Sequence, residues 1–149
     1  MIANSLKDNN LNLKNIDNVK YFTGYASIFN VVDYAGDLIL PGAFIENQVE
    51  GIKLLWQHNH QNPIGIIDKA YEDKKGLYVE GRIFLDLSLG KEAYILIENK
   101  VTDHLSIGYE VLDFYYAGEI RCIINVNLWE VSIVTFPANK YAEVLAIGS

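Results

Sequence analysis

The sequence predicts an α+β domain, a mostly antiparallel closed or nearly closed β-barrel of about six to seven strands with two or more short helices. Three observations predict it. Six runs are rich in β-branched and aromatic residues and mostly alternate between polar and apolar positions. Short glycine-containing turns separate several of them closely enough for hairpins. Proline occurs only at Pro41, Pro63 and Pro137, which leaves most of the chain free to build sheet ladders. A barrel is favoured over an open sheet because closure removes exposed edges.

Residues 1–18 are rich in Asn, Asp and Lys without clear periodicity and predict a loose arm ahead of a single domain spanning 19–149. YFTGYASIFNV, from Tyr21, reads as the first strand. In PGAFIENQVEGI, Pro41 leads in and Phe44, Gln48 and Ile52 share a face, which predicts a helix. IKLLWQH, PIGIIDKAYE and GLYVEGRIF follow as strands, the last two joined through DKKG at 73–76. LSLGKEAYILIENK predicts a second helix, with Ser88 as cap and Leu89, Ala93, Leu96 and Lys100 at helical spacing. HLSIGYEVLDFYY and EIRCIINVNLWEVSIVTF are strands joined through Ala117 and Gly118.

At 149 residues the chain is long enough to bury roughly two thirds of the surface its unfolded form exposes, so it needs no staples. No apolar run reaches the roughly 18 to 20 residues of a membrane helix, and the start lacks the basic and apolar blocks of a signal peptide. A cytoplasmic protein with no membrane partner is expected. The net charge of −7, with Arg82 and Arg121 the only arginines, argues against a phosphate-gripping surface and hence against nucleic acid. Cys122 is the only cysteine, which excludes an internal disulfide and a cysteine-based zinc cluster. Within RCIINV it reads as a small buried hydrophobe.

Four polar residues sit within or at the end of apolar strands: His58, His60, Ser106 and Glu130. Glu130 is the most demanding, because a carboxylate between Trp129 and Val131 must face water or find hydrogen-bond donors. A hydroxyl, an imidazole and a shielded carboxylate are the parts of an activated nucleophile, in which the base takes the hydroxyl proton and the acid fixes the imidazole. No local GxSxG motif accompanies them. Gly108 leaves the strand surface open beside Ser106.

The register of the last hairpin tests this grouping. If Tyr116 pairs with Glu119, Ser106 lies opposite Trp129 and Glu130 falls on the other face. With a three-residue loop and Gly118 left-handed, Tyr116 pairs with Ile120 and Ser106 lies opposite Glu130 on one face. The second register, or a bulge of equal effect, is predicted. A competing chemistry is a metal site, since His58 and His60 are two apart and His104 with Asp103 or Glu130 could complete a tetrahedral set. Asn62 and Pro63 place His60 in the turn. A catalytically silent binding module is the third reading.

Taken in order, GYASIFNVVDYAGDLILPGAF, LLWQHNHQNPIGII, GLYVEGRI, LSIGYEV and LWEVSIVTFPANKYAEV resemble the prohead maturation proteases of tailed bacteriophages over about residues 21–145. The resemblance implies a serine endopeptidase, related in fold to the herpesvirus capsid maturation proteases. Such an enzyme cleaves scaffold or capsid-protein segments, and itself, inside the assembling procapsid in the bacterial cytoplasm. By motif, it implies Ser106 as nucleophile, His58 rather than His60 as general base and Glu130 as the residue orienting His58. It implies no cofactor and no metal, a major capsid or scaffold protein as substrate, and a homodimer or higher homo-oligomer of the kind related capsid proteases form. For the oxyanion, Arg82 and backbone N–H groups near Gly108 or after Glu130 are the expected donors.

Overall fold

The computed structural model of the chain describes residues 18–45 and 51–148. Among them the strands are β1 (Val19–Ile28), β2 (Asp37–Ile39), β3 (Lys53–Trp56), β4 (Asn59–Glu72), β5 (Gly76–Phe84), β6 (His104–Ala117), β7 (Ile120–Val134) and β8 (Val144–Gly148). One helix, α1 (Ser88–Glu98), lies between β5 and β6. The predicted arm lies outside the described residues apart from Asn18, whose carbonyl accepts from Leu85 N–H at 3.0 Å.

The alternation that predicts strands also predicts the core. Phe22, Leu54, Ile67, Val79, Ile83 and Leu105 point inward from five strands and are essentially inaccessible to solvent. Burial of each aliphatic side chain contributes roughly 1.5 to 3 kcal/mol, the main driving term for the fold. The DKKG hairpin forms as expected. Asp73 Oδ1 accepts the N–H groups of Lys75 and Gly76 at 2.7 and 3.1 Å, an Asx-type turn that joins β4 to β5.

The sheet runs β2-β7-β3-β4-β5-β1-β8, with β6 on the other edge of β7. This sheet is not closed, which corrects the closed form of the barrel expectation. Among the described residues its two ends, β6 and the segment entering β8, meet at the isolated bridge His104↔Glu143 and the hydrogen bonds Leu105 N–H to Ala142 O and Val144 N–H to Asp103 O, both 2.9 Å, rather than through a strand ladder. Most pairings are antiparallel, but β2 and β3 both run parallel to β7 along one edge, β3 pairing Leu54 with Val131 and Leu55 with Ser132. That pairing carries the end of β3 to the functional half of β7.

Two helical expectations are revised. The stretch 41–52 lies partly outside the described residues, and its described beginning, 41–45, is turn. The Glu72 carboxylate accepts the N–H groups of Gly42 and Phe44 at 2.8 Å each, which satisfies backbone that a helix start would leave bare. Helix α1 forms as expected, but Leu87 is its N-cap and no side chain caps it, so Ser88 does not serve that role. Its buried face is Gly90, Ala93 and Ile97 rather than the Leu89, Ala93, Leu96 and Lys100 line. A Cβ on Gly90 would lie 2.0 Å from the Phe84 carbonyl oxygen, so glycine is what lets the helix approach the end of β5.

Candidate active site

The site is built where β3, β6 and β7 run side by side. Along β6 the core positions are Leu105, Ile107, Tyr109 and Val111, one parity throughout. From Val126 onward along β7 they are Val126 and Leu128, then Val131 and Ile133. The parity changes between Leu128 and Glu130, where Tyr109 pairs with Leu128 and Gly108 with Glu130, leaving Trp129 as the extra residue of a β-bulge. Glu130 and Ser132 are therefore turned to the outer face that Ser106 and Gly108 occupy.

The expected register is corrected in its detail. Ala117 pairs with Ile120 across a two-residue loop, Gly118 and Glu119, with Gly118 left-handed at φ 65°. The hairpin alone would put Glu130 on the core side, and the bulge returns it to the Ser106 side. Ser106 lies directly opposite Ser132, and Glu130 opposite Gly108, so serine and carboxylate are diagonal neighbours rather than a direct pair.

His58 comes from the two-residue turn between β3 and β4. Trp56 pairs with Asn59, and both turn residues, Gln57 and His58, are left-handed, with φ 54° and 58°. Gln rarely adopts that region and His only somewhat more often, and holding non-glycine residues there costs about 1 to 3 kcal/mol each. The surroundings supply the compensation. Gln57 N–H donates to Ile133 O at 2.9 Å, its amide donates to Thr135 Oγ1 at 2.7 Å, and its side-chain oxygen accepts Thr135 N–H at 3.1 Å. His58 N–H donates to Ser132 Oγ at 3.1 Å.

So held, the imidazole meets the carboxylate. His58 Nδ1 lies 2.6 Å from Glu130 Oε2, and Ser132 Oγ donates to Glu130 Oε1 at 2.6 Å. Glu130 is nearly enclosed, with 7% of its side chain exposed against 42% for His58. Each of its oxygens thus has a donor, which answers the cost of burying it. With Nδ1 engaged, Nε2 is the ring nitrogen left for chemistry. His58 and Ser106 line one open cleft of about 600 Å³, with Tyr34, His104, Phe136 and Lys140 around it. Ser106 itself is 8% exposed.

A second network fixes the loop carrying Tyr34. Arg121 holds Asp37 through two hydrogen bonds of 2.8 and 2.9 Å, and Asp33 Oδ1 accepts the N–H groups of Ala35 and Asp37 at 2.8 and 3.0 Å. Burial pushes the Asp33 carboxyl up, opposed by those two N–H donors. Burial, then the charges of Asp37 and Asp33, push the Tyr109 hydroxyl up to about 12.

Two expected substrate residues are corrected. Arg82 is engaged by Asp68 through both Nε and a terminal nitrogen, at 2.9 and 2.8 Å, between β4 and β5, and does not line the cleft. Gly108 does not clear space for substrate. A Cβ there would lie 2.3 Å from Glu130 Oε2 and 2.9 Å from its Cγ and Cδ, so the missing side chain makes room for the carboxylate. Gly108→Ala is accordingly expected to push Glu130 off His58 with the fold retained. Loss of the hydrogen-bonded His58 Nδ1 proton signal by NMR, beside an unchanged thermal melt, measures this, and a retained signal contradicts the packing role.

Ser132 is the residue to which sequence reasoning gave no role. Its signal was a hydroxyl in the apolar run VSIV, two residues beyond Glu130. The metal grouping does not assemble. Among the described residues no three His, Cys, Asp or Glu side chains are placed to hold an ion. His60 is exposed beyond the turn, and His104 Nδ1 sits 3.3 Å from Asp103 Oδ1.

A family model described as caudovirus prohead serine protease matches residues 8–148. The chain belongs to this family. It is 36% identical over 135 residues to the prohead protease of Enterobacteria phage HK97, an alignment covering 86% of this chain and 60% of that protein. It is 32% identical over 115 residues to the prohead protease of Escherichia phage T5, covering 72% and 54%. The chain thus spans somewhat more than half the length of these two relatives. A capsid polyprotein of Pseudomonas phage PAJU2 is 32% identical over 107 residues, 16% of its length. The fold is similar to that of KSHV protease, solved with a hexapeptide phosphonate inhibitor, with a TM-score of 0.63 at 14% identity, covering 88% of this chain and 65% of that one. Varicella-zoster virus protease gives 0.54 at 12% identity, covering 87% and 64%. The architecture is therefore herpesvirus-protease-like.

Proposed function

We propose that the chain is a serine endopeptidase of phage capsid maturation that cuts scaffold or capsid-protein segments, and itself, through Ser106, His58 and Glu130. The observation that carries this reading is the 2.6 Å contact of His58 Nδ1 with the enclosed Glu130, in a cleft that His58 shares with Ser106. His58 Nε2 takes the Ser106 proton as Oγ attacks the peptide carbonyl, and the imidazolium is stabilised by Glu130. Collapse of the tetrahedral intermediate transfers that proton to the leaving amine and leaves an acyl-enzyme on Ser106. Water, activated by His58 in turn, releases the carboxylate product.

Membership of the prohead protease family, and the capsid polyprotein among its relatives, support a capsid-protein or scaffold substrate within the procapsid. The expected result is time-dependent fragmentation when the protein is incubated with unfolded casein, read by intact-mass spectrometry, and none with His58→Ala. Fragment patterns identical in both proteins sink the proposal.

A further inference from the structure

Beside Ser106 and His58, the cleft rim carries two aromatic rings that the fold leaves uncovered. Phe136 is 90% exposed and Tyr34 is 78% exposed, and both line the cleft. A single exposed aromatic is ordinary, but two flanking the same cleft as a candidate nucleophile present an apolar surface that a partner can cover.

The rings are not on free loops. Phe136 lies two residues beyond the end of β7 and precedes Pro137, whose ring restricts the backbone there. Tyr34 N–H donates to Ala138 O at 3.1 Å, stitching the Tyr34 loop to the Phe136 segment. Asn139 Nδ2 donates to the Ile28 carbonyl at 3.0 Å, tying that segment to the end of β1. The Asp33, Asp37 and Arg121 contacts hold the Tyr34 loop from its other side. Lys140, also on the rim, has its ammonium 5.2 Å from the Tyr141 ring centroid, and the apolar Pro137 and Ala138 line the cleft together with the two rings.

We infer that Tyr34 and Phe136 form a substrate subsite that grips one large apolar side chain of an extended peptide close to the bond being cut. The inference rests on the proposed endopeptidase reading and names the chemistry its cleft selects. Preformed rings on tethered loops bind such a side chain with little ordering cost, and the contact is made equally in the ground and transition states. Truncating either ring therefore acts on KM and leaves kcat in place. Because the fold buries neither ring, their removal leaves the core intact.

The test compares the protein with its Phe136→Ala and Tyr34→Ala variants on a peptide library made by digesting a bacterial proteome, with cut sites read by mass spectrometry. The expected result is enrichment of large apolar residues at one fixed position within about three residues of the cut. Each variant reduces that enrichment and raises KM for the best peptide on the order of tenfold, at unchanged kcat. A library left uncut, cut sites without such enrichment, or enrichment surviving in both variants overturns the subsite. Labelling of Ser106 by a small fluorophosphonate, run in parallel, separates the two readings. A label of equal rate in all three proteins leaves the nucleophile assignment standing whatever the library shows, and its absence from all three strikes the endopeptidase reading instead.

Discussion

Ser106→Ala is expected to lower peptide hydrolysis by at least on the order of ten-thousandfold while the protein stays folded. In the proposed mechanism the hydroxyl supplies the only atom that forms the acyl bond, so no neighbour substitutes for it. Ser132 lies across the strand pair, but its Oγ donates to Glu130 and accepts the His58 N–H, and both contacts hold it away from nucleophilic work. Removing one oxygen from a position 8% exposed opens no sizeable cavity, so the change in stability should stay within about 1 kcal/mol. Hydrolysis of a cleaved peptide and a denaturant titration check the two halves of this expectation. Retained turnover in the alanine variant contradicts the nucleophile assignment.

Glu130→Gln is expected to lower kcat on the order of a thousandfold or more, with little change in KM. The amide keeps the shape of the carboxylate. Its oxygen can still accept from His58 Nδ1, and its NH₂ can donate to Ser132 Oγ in place of the present donation from Ser132. What it lacks is the negative charge that, in the proposed mechanism, stabilises the imidazolium formed when Ser106 gives up its proton. The glutamine variant thus separates charge from packing. A kcat close to that of the parent protein means that Glu130 is a structural acid only.

The parts of this site were legible because each violated its local context. A serine beside a glycine, a histidine closing an apolar run and a glutamate amid Leu, Trp and Val all stand out against strand alternation. The grouping was harder. Nothing in NVNLWEVSIV marks Trp129 as the residue the ladder skips, because a bulge depends on what β6 offers opposite it, here the side-chain-free Gly108 beneath the carboxylate. The strained turn at Gln57 and His58 was hidden for the same reason. Its sequence lacks the Gly or Asn that such turns favour, and the Thr135 and Ser132 contacts that hold it come from more than 70 residues away.

Elsewhere, the long strands and α1 could be read because their patterns extend over many residues, whereas β2 is three residues long and β8 five, too short to establish a period. Arg82 drew an oxyanion role only because its partner, Asp68, sits on the adjacent strand and is invisible without the β4 to β5 register.

The triad itself is tested most directly by reacting the protein with a serine-reactive fluorophosphonate and mapping the adduct by mass. One adduct is expected, on Ser106, and it disappears in His58→Ala while the fold of that variant survives. An adduct on another residue, or a Ser106 adduct that forms equally fast without His58, contradicts it.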